Sequence, residues 1–299
     1  MKTLEDMGED AVVSYLIGML NQGEGVVVGP GDDCAVVDVG QPDRFQLLKT
    51  DCLVEGVHFE SREDPERVGW KAVARVVSDF AAMGGEPEHL LVTIALSPET
   101  ELSYVESLYT GMQKCASQFH ASLVGGETSA VPSGSAALIS VAGTGSVEKS
   151  QLVTRAGGEV GDAVFVSGCL GGSIKGRHLD FVPRVEEVLW LTQHFNVHAM
   201  MDLSDGVARD LPRLAAASEC GYRIDRNAVP VTDGCNVSQA LGDGEDYELM
   251  FAVAAEDVQS LFESWSKIFP DTPLSKIGSL CEQGEGQCFE NGGWQHFEL

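Results

Sequence analysis

The chain has 299 residues, 43% hydrophobic and 7% aromatic, enough for two domains that each bury a core. Its 46 acids against 19 Lys and Arg leave a formal net charge of −27, which argues against nucleic acid or an anionic membrane as a partner, because phosphate contacts need cations. No run of 18 apolar residues occurs, so no membrane span is predicted.

The first six residues lack the basic and apolar regions of a signal peptide, and the eight cysteines include no Cys-x-x-Cys pair. Both features fit a reducing cytoplasm. Apolar residues at Val12, Val13, Leu16, Ile17, Met19 and Leu20 predict an amphipathic helix over Glu9–Gln22. Gly29-Pro30-Gly31 then makes a sharp turn that presents Asp32 and Asp33. A strand is predicted at Ala35–Val37, and a second at Phe45–Leu48 that ends on Lys49-Thr50-Asp51. Asp64 caps, and Pro65 opens, a helix that runs to Met83 and stops at Gly84-Gly85. Asp79 lies within its apolar stretch, where a carboxylate is costly to bury unless it is paired or metal-bound. A strand at Leu90–Leu96, a helix at Glu101–Phe119 carrying Tyr109, the Ser122–Thr128 strand with Gly125-Gly126-Glu127, and a strand at Ala136–Gly143 complete the first half.

After Lys149-Ser150 a polar connection holds Arg155, and Ala163–Gly168 is a buried strand leading to the glycine-rich loop Cys169–Ser173. Such a loop can bring N–H groups to phosphate, although no Gly-x-x-x-x-Gly-Lys-Ser/Thr is present. Val185–His194 is predicted helical, and Ala199–Asp202 is a strand feeding the acidic turn Ser204-Asp205-Gly206. A helix over Val207–Ser218, a strand over Tyr222–Asp225 and the acidic loop Gly244-Glu245-Asp246-Tyr247-Glu248 follow. A helix at Asp257–Ile268, a strand at Ile277–Leu280 and an aromatic tail with Trp294 close the chain. The fold class is therefore α+β or α/β in two mixed domains, and no internal repeat is evident.

Acids stand beside Gly, Ser or Thr at five separated places: Asp32/Asp33, Asp51, Asp79, Glu127 and Asp202/Asp205. In a chain too acidic to hold phosphate directly, that recurrence points to several hard cations gathered around a polyphosphate. Surface solubility is the competing explanation for any one of them.

The same segments carry a resemblance. Gly31-Asp32-Asp33-Cys34-Ala35, Thr50-Asp51-Cys52-Leu53-Val54-Glu55-Gly56-Val57-His58-Phe59 and Ser78-Asp79-Phe80-Ala81-Ala82-Met83-Gly84 resemble motifs of the thiamine-monophosphate kinases. Gly125-Gly126-Glu127-Thr128, Met201-Asp202-Leu203-Ser204-Asp205-Gly206 and Gly244-Glu245-Asp246-Tyr247-Glu248-Leu249 extend the match in order over nearly the whole chain. The wider group is the aminoimidazole ribonucleotide synthetase-like superfamily. The resemblance implies Mg²⁺-dependent transfer of the ATP γ-phosphoryl group to thiamine monophosphate. It implies metal ligands at Asp33, Thr50, Asp51, Asp79, Glu127, Asp202 and Asp205. It places ATP against Tyr109, Gly126, Arg155 and Ser204, and the thiamine phosphate against His58, Glu245 and Trp294. It implies an ATP- and Mg-binding dimerisation domain over residues 1–147, whose strands close a barrel across a homodimer. A C-terminal domain over 148–299, a mixed sheet covered by helices, would complete both sites. No general base is called for, since the acceptor is already a phosphate anion. Two departures stand out: Glu127 where the family has Asp, and a short 171–184 segment. Another ATP-using enzyme of the superfamily, or a nucleotide-binding regulator without turnover, is the alternative.

Overall fold

The structure is a computed structural model that describes residues 2–21, 23–287, 289 and 292–297; Gln22 and Cys288 lie outside the described residues. Two short helices begin it, α1 (Leu4–Met7) and α2 (Glu9–Ile17). The expected helix to Gln22 stops at Ile17 and buries no residue, leaving Val13, Tyr15 and Leu16 exposed.

Six strands form the first sheet: β1 (Val26–Val28), β2 (Ala35–Val37), β3 (Arg44–Val54), β4 (Glu86–Leu96), β5 (Ser122–Ala130) and β6 (Leu138–Glu148). Their order is β1-β2-β3-β6-β4-β5, and the sheet is mixed because β4 and β5 pair in parallel. β3 does not end at Asp51 as its sequence suggests. It continues to Val54 along β6, so Asp51 lies mid-strand opposite Val141. Helices α3 (Pro65–Ala82) and α4 (Leu102–Gln118) cover one face. Alternation along β3 turns Leu47, Asp51 and Leu53 toward α3 and leaves Leu48 and Thr50 exposed on the uncovered face. The sheet is open, with β1 and β5 as edges, so the barrel expected across a homodimer is not formed within one chain.

α3 starts where its sequence says it should: the Asp64 side chain accepts from the Glu66 amide and Pro65 fills the first helical position. α3 and α4 meet backbone to backbone. A Cβ on Gly111 would lie 1.7 Å from the Glu66 carbonyl oxygen, and one on Gly69 would lie 1.9 Å from that of Leu108. Only glycine fits at either position.

The second sheet holds β7 (Ala163–Ser167), β8 (Val197–Asp202), β9 (Gly221–Ile224), β10 (Leu249–Val253) and β11 (Leu274–Cys281), in the order β8-β10-β7-β11-β9. It is wholly antiparallel rather than mixed. β7, β8 and β9 do run the same way, as their helical crossovers suggest, but β10 and β11 insert between them. Helices α5 (Val185–His194), α6 (Val207–Ala217), α7 (Val237–Gly242) and α8 (Val258–Ile268) flank this sheet. α7 carries a reciprocal Asn236/Gln239 capping box that sequence reading passed over. One apolar core runs from Phe80 and Leu90 through Leu179 and Val188 to Phe165 and Trp265, so the two domains share it; Val164, Val166, Leu211 and Leu214 belong to a second core. Among the described residues no helix is long and apolar enough to cross a membrane.

Replacing Gly111 with Ala should lower unfolding stability by about 1–3 kcal/mol, the usual cost of overpacking. Gly23→Ala, which meets nothing within 4 Å, should leave it unchanged. Urea denaturation of both variants checks this; equal midpoints would show that the helix crossing is not tight.

Candidate active site

α3 packs against β3 of its own domain and β8 of the other, and the site lies along that seam. The turn before β2 supplies Asp33, the last turns of α3 supply Ser78 and Asp79, and the end of β8 supplies Asp202. Carboxylate oxygens of Asp33, Asp79 and Asp202 lie within 4.8 Å of one another, and all three residues are buried. Like charges 4 Å apart repel by about 4 kcal/mol at an effective dielectric near 20. The chain compensates only partly. Lys49 Nζ donates to Asp79 Oδ1 at 2.8 Å, the Arg155 guanidinium pairs with Asp33, and Ser78 Oγ donates to Asp202 Oδ2 at 2.5 Å. Asp33 Oδ2 is buried with no hydrogen-bond partner among the described residues.

Proton affinities reflect that shortfall. Burial, then the charge of Asp33, pushes the Asp202 carboxyl up to about 7. Burial raises Asp79 well above the carboxylate range, although Lys49 works against it. Burial and the Asp33 charge bring Asp32 to about 6, while its Oδ2 accepts from the Arg155 amide at 3.0 Å. Asp51 behaves differently: burial pushes its carboxyl up, but Lys49 and Arg75 outweigh that and hold it below its ordinary value. Three buried carboxylates with one orphaned oxygen make a hard, all-oxygen donor set of the kind Mg²⁺ takes. Two ligands of one Mg²⁺ are at most ~4.2 Å apart at its ~2.1 Å bond length, so the cluster fits the ion with a small contraction.

One helical turn and more toward the start of α3 lies a second group. Lys71, 0% exposed, pairs with Glu245 and donates to the His58 carbonyl oxygen at 2.7 Å. His58 Nδ1 accepts from the Val54 amide at 3.0 Å, so its proton sits on Nε2. Burial, helped by Arg75, lowers its pKa to about 4, so the ring is neutral at pH 7. The His296 ring lies 5.7 Å from it, and Trp294 stands edge-on to His296 at 6.1 Å. Thus His58, Glu245 and Trp294 converge. Glu245 and Tyr247 hold left-handed backbone angles, φ 59° and 50°, uncommon for residues with side chains and concentrated at functional sites.

The acids of that loop divide their work. Glu245 faces α3 through Lys71. Asp246 accepts from the Gly171 amide at 3.0 Å and from Arg177 Nη2 at 2.6 Å, fixing the glycine-rich loop. Glu248 takes a two-pronged contact from Arg184, at 2.7 and 2.6 Å. The short 171–184 segment is pinned to α3 as well: Arg67 Nε donates to Asp180 at 2.8 Å and Trp70 Nε1 donates to the Phe181 carbonyl oxygen at 2.8 Å. Phe181 then stacks on Tyr247, ring centroids 4.1 Å apart.

Ser204 and Asp205 adjoin this second group, their carbonyl oxygens accepting from the Glu245 amide at 2.7 Å and the Trp294 amide at 2.9 Å, whereas Thr50, Tyr109, Gly126 and Glu127 lie elsewhere in the single chain. Asp205 is held by Arg213 Nη1 at 2.5 Å and Arg209 Nε at 3.5 Å, at the start of α6, beside Ser204. Thr50 is on the uncovered face of the first sheet. Register carries Thr50 through Ala142 to Leu91 and Gly125, so Gly126 and Glu127 are three strands away, about 14 Å at usual spacing. Tyr109 lines an open groove of ≈ 950 Å³ along α4, with Trp70 of α3 and Leu123 of β5. Sequence reading assigned no role to Lys71, Arg75 or Ser78. Their signal was available: polar groups spaced along the buried face of an otherwise apolar helix.

Models of the AIR synthase related protein family match the chain, the N-terminal domain over residues 31–147 and the C-terminal domain over 138–289. A thiamine-monophosphate kinase of Rhodopirellula baltica is 37% identical over 286 residues, 90% of this chain and 89% of its own. That of Aquifex aeolicus is 33% identical over 329 residues, 98% and 99% respectively. The structure of AaThiL complexed with AMPPCP and TMP superposes with a TM-score of 0.85, at 30% identity, over 99% of both chains.

The raised carboxyl of Asp202, about 7 folded against an ordinary 3.8, means that the metal-free fold binds the extra proton between those values. Its contribution to metal-free stability therefore falls as pH rises from about 4 to 7. Mg²⁺ competes with that proton, so its stabilisation should be larger at pH 8 than at pH 6. At about 100 times its Kd it should reach ~2.7 kcal/mol. Thermal melts with and without Mg²⁺ at both pH values read this; a gain that shrinks as pH rises would contradict the site.

Proposed function

The chain belongs to the AIR synthase-related family, alongside the thiamine-monophosphate kinases, and from that premise we propose that it transfers the γ-phosphoryl group of ATP to thiamine monophosphate, giving thiamine diphosphate and ADP. The observation that carries the reading is the buried Asp33, Asp79 and Asp202 cluster with an unpartnered oxygen, assembled from both domains.

Asp33, Asp51, Asp79 and Asp202 would hold Mg²⁺, and a cation there would offset the charge that keeps donor and acceptor anions apart. The chain's own groups do the rest. Arg155 is moored by Asp32 and Asp33 beside the cluster and presents its cation to the nucleotide, with Ser204 at the end of β8. The neutral His58 ring, the Glu245 carboxylate, whose charge Lys71 balances, and the Trp294 ring gather aromatic faces and a carboxylate, the chemistry that receives a cationic thiazolium. The acceptor phosphate needs no base to remove a proton.

The second copy of the chain belongs to the same proposal. β5 is a nine-residue edge strand, and Leu48, Leu91 and Val124 are 40%, 50% and 55% exposed on the first sheet. An edge of that length invites pairing. A homodimer that covers this face and edge also brings Thr50, Tyr109, Gly126 and Glu127 to a partner's surface, where they would complete the nucleotide and metal contacts.

Incubation with ATP, Mg²⁺ and thiamine monophosphate should yield thiamine diphosphate, and Asp79→Asn should lower kcat by roughly 100-fold or more. No product from the metal-replete wild-type protein would sink the assignment. Sedimentation should give twice the 31.9 kDa chain mass, and Leu91→Glu, aimed at the uncovered face, should shift it to one. A monodisperse single chain at full activity would remove the dimer from the account.

A further inference from the structure

Lys71, Arg75 and Asp79 follow one another at i, i+4 spacing, so one stripe of α3 carries all three, with about 6 Å of rise between neighbours. Lys71 belongs to the pocket of His58 and Glu245, and Asp79 to the acidic cluster. Arg75 stands midway. Its Nη1 donates to the Cys52 carbonyl oxygen at 3.1 Å, and this is its one hydrogen bond among the described residues. Among the described residues Nε is buried without a hydrogen-bond partner, and its ion-pair partner, Asp51 Oδ2, is 3.6 Å away, beyond hydrogen-bond reach. The guanidinium carbon lies 5.9 Å from the centroid of the Tyr247 ring, which Phe181 backs on its own account. A guanidinium is thus positioned at the junction of the two halves of the site with most of its donors unspent. Burial works against its charge, and Tyr247, Asp51 and Glu245 more than offset this, so it stays a cation at any working pH.

In a reaction between two phosphates, that junction is where the acceptor phosphate must lie. Metal ions held at the Asp79 end would offset the charge of the donor, but the acceptor carries its own. With 19 Lys and Arg in 299 residues, cations within the site are few. Lys71 is already engaged by Glu245 and the His58 carbonyl. Arginine offers a planar fork that matches two phosphate oxygens, which lysine cannot reproduce.

We infer that Arg75 binds the phosphate of thiamine monophosphate, holding one of its oxygens toward the γ-phosphorus of ATP. This rests on the kinase reading above. In the step it serves, a lone pair of the acceptor oxygen forms a bond to the γ-phosphorus. The bond from that phosphorus to the β,γ-bridging oxygen breaks, and its electron pair leaves with ADP. No proton or redox partner enters.

Arg75→Gln and Arg75→Lys, each checked by thermal melt for an intact fold, test the assignment by turnover and by binding. Loss of two donors to an anion should lower kcat/KM for thiamine monophosphate by roughly 100-fold in Arg75→Gln, with Arg75→Lys between it and the wild type. KM for ATP should stay within about three-fold, which separates phosphate binding from a role in setting Asp51 for the metal. Calorimetry gives a readout independent of chemistry: wild-type protein should prefer thiamine monophosphate to thiamine, and Arg75→Gln should lose that preference. An inactive wild type whose preference still depends on Arg75 would defeat the kinase reading and leave the phosphate contact standing. Unchanged preference in Arg75→Gln, or a loss that falls on ATP and Mg²⁺ instead, would overturn the inference.

Discussion

Mutual repulsion among Asp33, Asp79 and Asp202 is the constraint around which the rest of the molecule is built. Buried acids within 4.8 Å of one another are tolerable only because Lys49, Arg155 and Ser78 each take part of the charge. What they leave uncompensated is specific, one buried Asp33 oxygen and two carboxyls with raised proton affinity. The fold holds this arrangement in place from both domains at once, with a hydrophobic core continuous from Phe80 to Trp265 behind it. Substituting apolar residues for the cluster would relieve strain and remove the reason for the site.

Helix α3 sets the scale of everything beside that cluster. Its glycine contact with α4 brings the two helices together closely enough to lie flat on the first sheet. Its Asp64 cap and Pro65 fix where it begins, and therefore where Lys71, Arg75 and Asp79 fall along the seam. The second domain answers with the 245–248 loop, whose four residues each contact a different neighbour. The left-handed angles at Glu245 and Tyr247 are the local cost of aiming alternate side chains at α3.

Much of this was legible in the sequence because local rules and global fold agree there. The α3 cap, the Val185–His194 helix and the acid-bearing turns before β2 and after β8 all come from short-range chemistry. Convergence of Asp33, Asp79 and Asp202 was inferred from the recurrence of acids near Gly, Ser or Thr at strand and helix ends, and the structure brings them together. What escaped depends on long-range pairing. The antiparallel order of the second sheet requires β10 and β11 to slip between strands that local pattern places side by side. The extent of β3 is set by β6, 90 residues later at the Asp51–Val141 pair, which draws Asp51 from a strand end into the strand. Glu127 shows the same limit. Its extra methylene relative to the family Asp invites an argument about ligand geometry, yet in one chain it stands three strands from the acids it was grouped with. Arg75 carries no motif, and its one signal in the sequence was its place among polar groups on the buried stripe of α3; in the structure its Nε, buried without a hydrogen bond among the described residues, marks it.

The central claim is that the acidic cluster serves a metal-bound nucleotide. Isothermal titration of AMPPCP into the wild-type protein, with Mg²⁺ and then with EDTA, tests it most directly. The account predicts that chelation weakens nucleotide binding by roughly 100-fold or more, and that Asp33→Asn removes most of the Mg²⁺ dependence. Equal nucleotide affinity with and without a divalent cation would contradict it.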